Sequence, residues 1–373
     1  EGRTDRAVSV AEQAVTVAKE SWDPAEHAAS LRTLSQAHIA GGAMAEAAEA
    51  VSREGTVLRQ AGRSLGEALS LLHACEVHTA TGDYDKVVSC ATDAQALLHK
   101  IGDSKREAKA WHEIAQAQLS GEKHGPALWA AERAKKLHQE FGDTTAHVEA
   151  CLVAAQAHFG QALRNQDRSG AQEESMKMVQ LALNEGQEAV ALARRTEDQK
   201  LVATALCTLA QAETVAMLWP EALKSATEAV ELHRELGDEF GEASATVMCA
   251  HVHLLCDRPG RAGKAATEAM LIFQRLGDFQ AEAWAAGIFE HLGAGARSLP
   301  PAMPLAKGRR AAPTPGVGSG MGLAKQLAAL DEAEVEFDTP LMQPGAMSSP
   351  ALRSQLARLI VEERTDVPRL FSG

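Results

Sequence analysis

Aromatic side chains are scarce in this sequence, 4% of its 373 residues with a single tyrosine, so a core built on stacked rings is excluded. Alternating runs of Val, Ile and Thr are missing too, and with them the period-two signal of half-buried strands. Pro and Gly are thin over roughly the first 290 residues, which leaves few breaks in long helical stretches. No run of about 18 apolar residues occurs, so no segment reads as a membrane span, although a seat on a membrane complex stays open. Positive charge is in deficit: the formal net charge is -13, which disfavours unspecific contact with nucleic acid or anionic lipid. The six cysteines contain no C-x-x-C pair. Cys75, Cys90, Cys151, Cys207, Cys249 and Cys256 therefore read as small core residues of a reducing compartment, with neither disulfide nor metal expected. H-E-x-x-H and G-x-S-x-G are absent, and "GVGSGMG" from Gly316 lacks the preceding strand of a nucleotide loop.

What is present is an abundance of Ala, Leu and Val and a period of forty. Gly62, Gly102 and Gly142 are spaced by forty, and so are Gly237 and Gly277, while Trp22 and Glu197 stand forty before Gly62 and Gly237. A fixed period of this size means stacked supersecondary units. The physics at each recurrence is the same: Gly ends a helix in the left-handed conformation, and Asp23, Asp103, Asp143, Asp238 or Asp278 can N-cap the next. A second break, at Gly41-Gly42, "TGDYD" from Thr81, "SGEKHGP" from Ser120, "LWPEA" from Leu218 and "DRPG" from Asp257, divides each unit into a helix A and a helix B. In register, Ser35, Cys75, Ala115, Ala155, Ala210 and Ala250 share one helix A position, and Ala47, Val87, Ala127, Ala182, Ala222 and Ala262 share one in helix B. Such small residues suit two closely packed antiparallel helices.

The expected body is one helix B from Arg3 to Ser21, six full repeats from about Pro24 to Gly277, and a last helix A from Phe279 to Leu292. Repeat four is longer, with 55 residues between Gly142 and Glu197, so two extended helices with a polar tip are expected there. The fold class is thus all-α, an α-solenoid of antiparallel helix pairs over residues 1–292 with an enlarged repeat at about 143–197.

Period, joint and small-residue positions resemble the tetratricopeptide repeat, in the forty-residue Leu-Gly-Asp form found in spindle-orientation adaptors and other scaffold proteins. The chain departs from that pattern at the usual helix A aromatic, which here is His38, His78, Gln118, His158, Glu213 or His253. Those rings are expected half-buried between helices, and the two rings of "HVH" at His251 point to different sides of one helix. The resemblance implies a groove along the inner faces of the A helices that holds an extended peptide or a helix. One groove position carries Gln36, Glu76, Gln116, Gln156, Gln211 and His251. Gln can both donate and accept, so such a ladder can hold a peptide backbone. Neighbouring inner positions carry Arg32, Leu72, His112, Leu152 and Cys207. The Lys and Asn clamp by which some family members hold a C-terminal carboxylate is absent.

Residues 293–322 form a Pro/Gly-rich linker with a basic excess. Beyond it, 323–373 reads as helix, loop, helix, and "DTPLMQPGAMSSPALRSQL" from Asp338 resembles the centre of an acyl carrier domain of modular polyketide synthases. By that resemblance Ser348 takes the place of the phosphopantetheine-bearing Ser, but Met347 replaces the Asp and Ser349 the Leu of the motif. The expectation is a non-enzymatic scaffold subunit, without cofactor or small-molecule substrate, that binds protein partners through the groove and anchors in a multi-subunit assembly through the tail. Its rivals are an accessory component of a polyketide or fatty-acid synthase system modified on Ser348, and a regulatory protein that senses a peptide. The expected setting is soluble and intracellular: the cytoplasm, or an organelle matrix or stroma if the missing initiator Met reflects removal of a transit peptide.

Overall fold

Two residues close five of the joints in the same way. In the computed structural model, which describes residues 2–166 and 171–294, Gly62, Gly102, Gly142, Gly237 and Gly277 all take positive φ, between 67° and 80°. At each, the glycine amide donates three residues back and the next amide five back, as in Gly102 to the His99 carbonyl at 3.1 Å and Asp103 to Leu98 at 3.0 Å. This Schellman arrangement satisfies carbonyls that a helix end leaves open. The aspartate then caps: the carboxylates of Asp103, Asp143, Asp238 and Asp278 accept from amides three residues on at 3.0–3.2 Å, and Asp23 accepts from Ala25 at 2.8 Å. Each cap stabilises its helix by ~1 kcal/mol.

The joints and the intra-repeat turns separate fourteen helices among the described residues. They are α1 (Gly2–Glu20), α2 (Pro24–Ala40), α3 (Met44–Gln60), α4 (Ser64–Thr81), α5 (Tyr84–Ile101), α6 (Ser104–Ser120) and α7 (His124–Phe141), then α8 (Thr144–Gln166), α9 (Gln172–Ala193), α10 (Gln199–Val215), α11 (Trp219–Glu235), α12 (Glu239–Leu255), α13 (Pro259–Leu276) and α14 (Phe279–Ala294). Repeats one to six are α2–α3, α4–α5, α6–α7, α8–α9, α10–α11 and α12–α13; α1 is a lone B helix and α14 a lone A helix. No strand occurs among the described residues. Each helix packs on its neighbours in the chain, so the all-α solenoid is the fold.

The small-residue positions are what bring the helices together. Ser35, Cys75, Ala115, Ala210 and Ala250 are fully buried, as are Ala47, Ala127, Ala222 and Ala262, with Ala155, Val87 and Ala182 within 1% of that. In repeat four α8 and α9 run 23 and 22 residues, as the enlarged spacing predicts, and the tip that would join them falls on residues outside the description. This long pair anchors the largest apolar cluster, from Val148 through Leu183, Leu206 and Leu209 to Ala245. Gly186 lets α9 approach α10 closely, since an added Cβ would lie 3.3 Å from the Leu209 Cα.

Two joints differ from the expected form. Trp22 stands where the others have Gly and still takes φ 59°. Glu197 does not take positive φ at all; that joint is built on Thr196, whose hydroxyl donates to the Ala193 carbonyl at 2.7 Å and accepts from the Asp198 amide at 3.3 Å. The linker, the carrier-like tail and Ser348 lie outside the described residues.

Candidate functional site

The A helices form an inner layer. Helices α4, α6, α8, α10 and α12 each touch the next even-numbered helix, up to α14, as well as their chain neighbours, whereas the odd-numbered B helices show no comparable mutual packing among the described residues. A stack whose even helices are more closely spaced than its odd ones curves towards the even side, which makes the A-helix face concave.

On that face the ladder residues grade from open to closed along the chain. Gln36, Glu76 and Gln116 are exposed, Gln156 and Gln211 are half-buried, and His251 is buried. His251 packs edge-on against Trp284 of α14, with ring centroids 5.5 Å apart, and so closes the far end. Gln116 is held by His112, Nε2 to Nε2 at 2.7 Å, and Glu76 lies 3.7 Å from Lys109. The neighbouring positions are less available. Leu72, Leu152 and Cys207 are buried, and burial pushes the Cys207 thiol up to about 12. Arg32 is turned onto Glu54 of α3 at 2.6 Å, and the buried Glu54 also faces His73 at 3.7 Å. His112 sits in a desolvated place that lowers it to about 4, helped by His138 and Lys109. Ladder and neighbours thus separate into an open row and a row that packs the wall.

Sequence reasoning did not single out the carboxylates between them. Glu113 is raised by burial, is lowered by Lys109, and is raised further by Glu76 of α4 and Glu149 of α8. Glu149 is raised by burial and by Asp143 and Asp198. Three adjacent A helices therefore present carboxylates to one stretch of the inner face, with Lys109 as the cation beside them. The signal was present as acidic residues at equivalent helix A faces, but only stacking shows that they act on one another.

At the position of the family aromatic, His158 and Glu213 are buried and His38, His78, Gln118 and His253 half-buried. His158 Nδ1, Glu213 Oε2, Gln118 Oε1 and His253 Nδ1 are enclosed without a hydrogen-bond partner. Burial lowers His78, His158 and His253, and it raises Glu213 to about 7. These groups pack between helices, and Glu213 has Ser225 beside it.

Curved inner face, graded polar ladder and repeating joints define a helical-repeat solenoid of the tetratricopeptide type. No protein-family model matches the chain, and no curated protein matches its sequence. Among solved structures, it resembles a Signal Transduction ATPase with Numerous Domains from Pyrococcus horikoshii that carries a tetratricopeptide repeat sensor. That match covers 72% of this chain at 11% identity with a TM-score of 0.52. The chain spans only 42% of that protein's length. A Rap protein solved in complex with Competence and Sporulation Factor matches over 74% of this chain and 78% of its own, at 11% identity and a TM-score of 0.48. A circular tandem repeat protein matches over 97% of this chain and 91% of its own at 11% identity, with a TM-score of 0.33. What the chain shares with the ATPase at such identity is the fold alone.

Proposed function

We propose that the chain is a non-enzymatic scaffold that binds other proteins along the inner face of its A helices. The observation that supports this reading best is the polar row of exposed Gln36, Glu76 and Gln116 and half-buried Gln156 beside the carboxylates of Glu113 and Glu149. Gln amides can pair with a peptide backbone, and raised carboxylates gain from a cationic side chain laid across them. An extended or helical segment carrying Lys or Arg is the ligand that suits this surface. No helix among the described residues is long and apolar enough to cross a membrane, which fits contact with proteins in water. In the same reading, residues 1–292 are the binding solenoid, 293–322 a linker and 323–373 an anchor to a larger assembly. Ser348 is read as unmodified, because Met347 stands where the carrier motif has its acid.

The test places a photo-crosslinking amino acid at Gln116 or Gln211 and, as a control, at Thr92 on a B helix of the full chain. Protein adducts from the first two positions and none from Thr92 support the groove. Adducts from Thr92 alone, or from none of the three, would overturn it.

A further inference from the structure

The joints before α4, α6, α12 and α14 carry a second repeating contact, which is missing from repeats one, four and five. Four residues after the joint aspartate, or after Arg63 at the joint before α4, stands a glutamate that accepts from a residue eight positions back. The pairs are Glu67 with Arg59 at 2.5 Å, Glu107 with His99 at 3.1 Å, Glu242 with Arg234 at 2.8 Å and Glu282 with Gln274 at 2.6 Å. In repeat four that position is His147. The residue is 8% exposed, its Nε2 is enclosed and makes no hydrogen bond, and it faces Glu188 Oε1 of α9 at 3.6 Å, too far for one.

One turn on, at i+4 and therefore on the same face of α8, lies the fully buried Cys151. One donor atom each from His147, Cys151 and Glu188 fall within 4.8 Å of one another. Bonds of about 2.0–2.3 Å to a tetrahedral zinc ion place donors roughly 3.3–3.8 Å apart; His147 Nε2 and Glu188 Oε1 already lie 3.6 Å apart, and a small contraction of the cluster would bring all three donors into range. Imidazole, thiolate and carboxylate together suit a borderline-soft divalent ion of the zinc class better than calcium or magnesium, which prefer oxygen alone.

We propose that His147, Cys151 and Glu188 bind a divalent ion of the zinc class, which ties α8 to α9 in the enlarged repeat. The thiol proton leaves to solvent as the thiolate takes the metal, and the exposed side by Glu188 leaves the fourth position to water. Lys135, the cation that acts on Cys151, is held by Glu185 at 2.7 Å and Glu132 at 3.3 Å, so the local balance of charge is negative. Repeat one supplies an internal contrast. There the equivalent three positions are His27, Leu31 and Arg53; burial lowers His27, Arg53 and Lys19 lower it further, and Arg53 offers no ligand.

Cobalt(II) is the probe, added to the reduced full chain. The expected result is a thiolate-to-cobalt charge-transfer band that saturates at a single metal per chain and is lost in Cys151→Ser, while His147→Gln and Glu188→Gln each weaken binding about tenfold or more. No band from the folded chain, or a band that survives Cys151→Ser, would overturn the site. Should Cys151→Ser fail to fold by circular dichroism, the other two variants decide: weakening in both upholds the site, and unchanged affinity in either removes it.

Discussion

Repeats three and four use one helix position in opposite ways. In repeat three the buried carboxylate of Glu107 accepts from Gln95 at 2.8 Å, His99 at 3.1 Å and the Trp111 indole at 3.4 Å, which locks α5 to α6 across the joint. In repeat four His147 leaves that contact and turns towards α9 of its own repeat. The stack continues through both. In a solenoid each unit touches only its neighbours, so a local contact can be exchanged for another without changing the architecture. Variation in function can accumulate at such positions, while the joint glycines and the small-residue rows keep the repeat.

The comparison can be broken most forcefully at Glu107. Glu107→Ala leaves three donors without their acceptor and should lower unfolding free energy by ~1–3 kcal/mol in urea titration. A loss below the error of the titration would mean that the joint does not depend on this contact.

A second contrast concerns pH. At the position of the family aromatic, repeat five has Glu213, raised to about 7 by burial, with Glu221 adding to the rise and Ser225 and Lys224 opposing it. Repeats four and six have His158 and His253, both lowered by burial. The folded state therefore prefers Glu213 protonated, so its contribution is present below the ordinary Glu range and is lost as pH rises towards 7. The two histidines are preferred neutral, so theirs is present above the ordinary His value and is lost as pH falls through it. Glu213→Gln should make the chain more stable at pH 8 than the parent and remove the loss on the way up. His158→Gln should flatten the loss on the way down. Both follow from thermal melts across pH 5 to 8.

Turns give a smaller effect. Gly42 and Gly82 take positive φ in the intra-repeat turns of repeats one and two, but Glu122, Met217 and Asp257 hold the same conformation, at 57–60°, without being glycine. Glu122→Gly and Met217→Gly should each stabilise by about 1 kcal/mol, and Gly82→Ala should cost a similar amount. The smallest change belongs to an exposed partner. Arg59→Ala removes the cation from Glu67 but should cost under ~0.5 kcal/mol, because Arg59 is 65% exposed and its ion pair is solvated.

The fold was legible because its determinants are local. Gly102 and Asp103 announce a joint by themselves, and the forty-residue register of Ala115 with Ala155 follows without any long-range information. The long α8–α9 pair was legible from spacing, but the joint before α10 was not, because Thr196 there does with a hydroxyl what Gly does elsewhere. The ladder from Gln36 to His251 was placed by family register, and its closing by Trp284 could not be read from sequence, since the ring comes from a different helix. The same holds for Glu113: its carboxylate is notable only because Glu76 and Glu149 arrive beside it from neighbouring repeats. His147 and Cys151 do leave a trace, an H-x-x-x-C spacing on one helix, but Glu188 joins them only when α9 folds back.

The central claim is that the inner, even-numbered helices carry the binding surface. Hydrogen–deuterium exchange of the full chain, free and with a crosslink-identified partner, tests it most directly. The account predicts slowed exchange in α4, α6 and α8, with α5, α7 and α9 unchanged; protection on the odd-numbered helices, with none on the even ones, would contradict it.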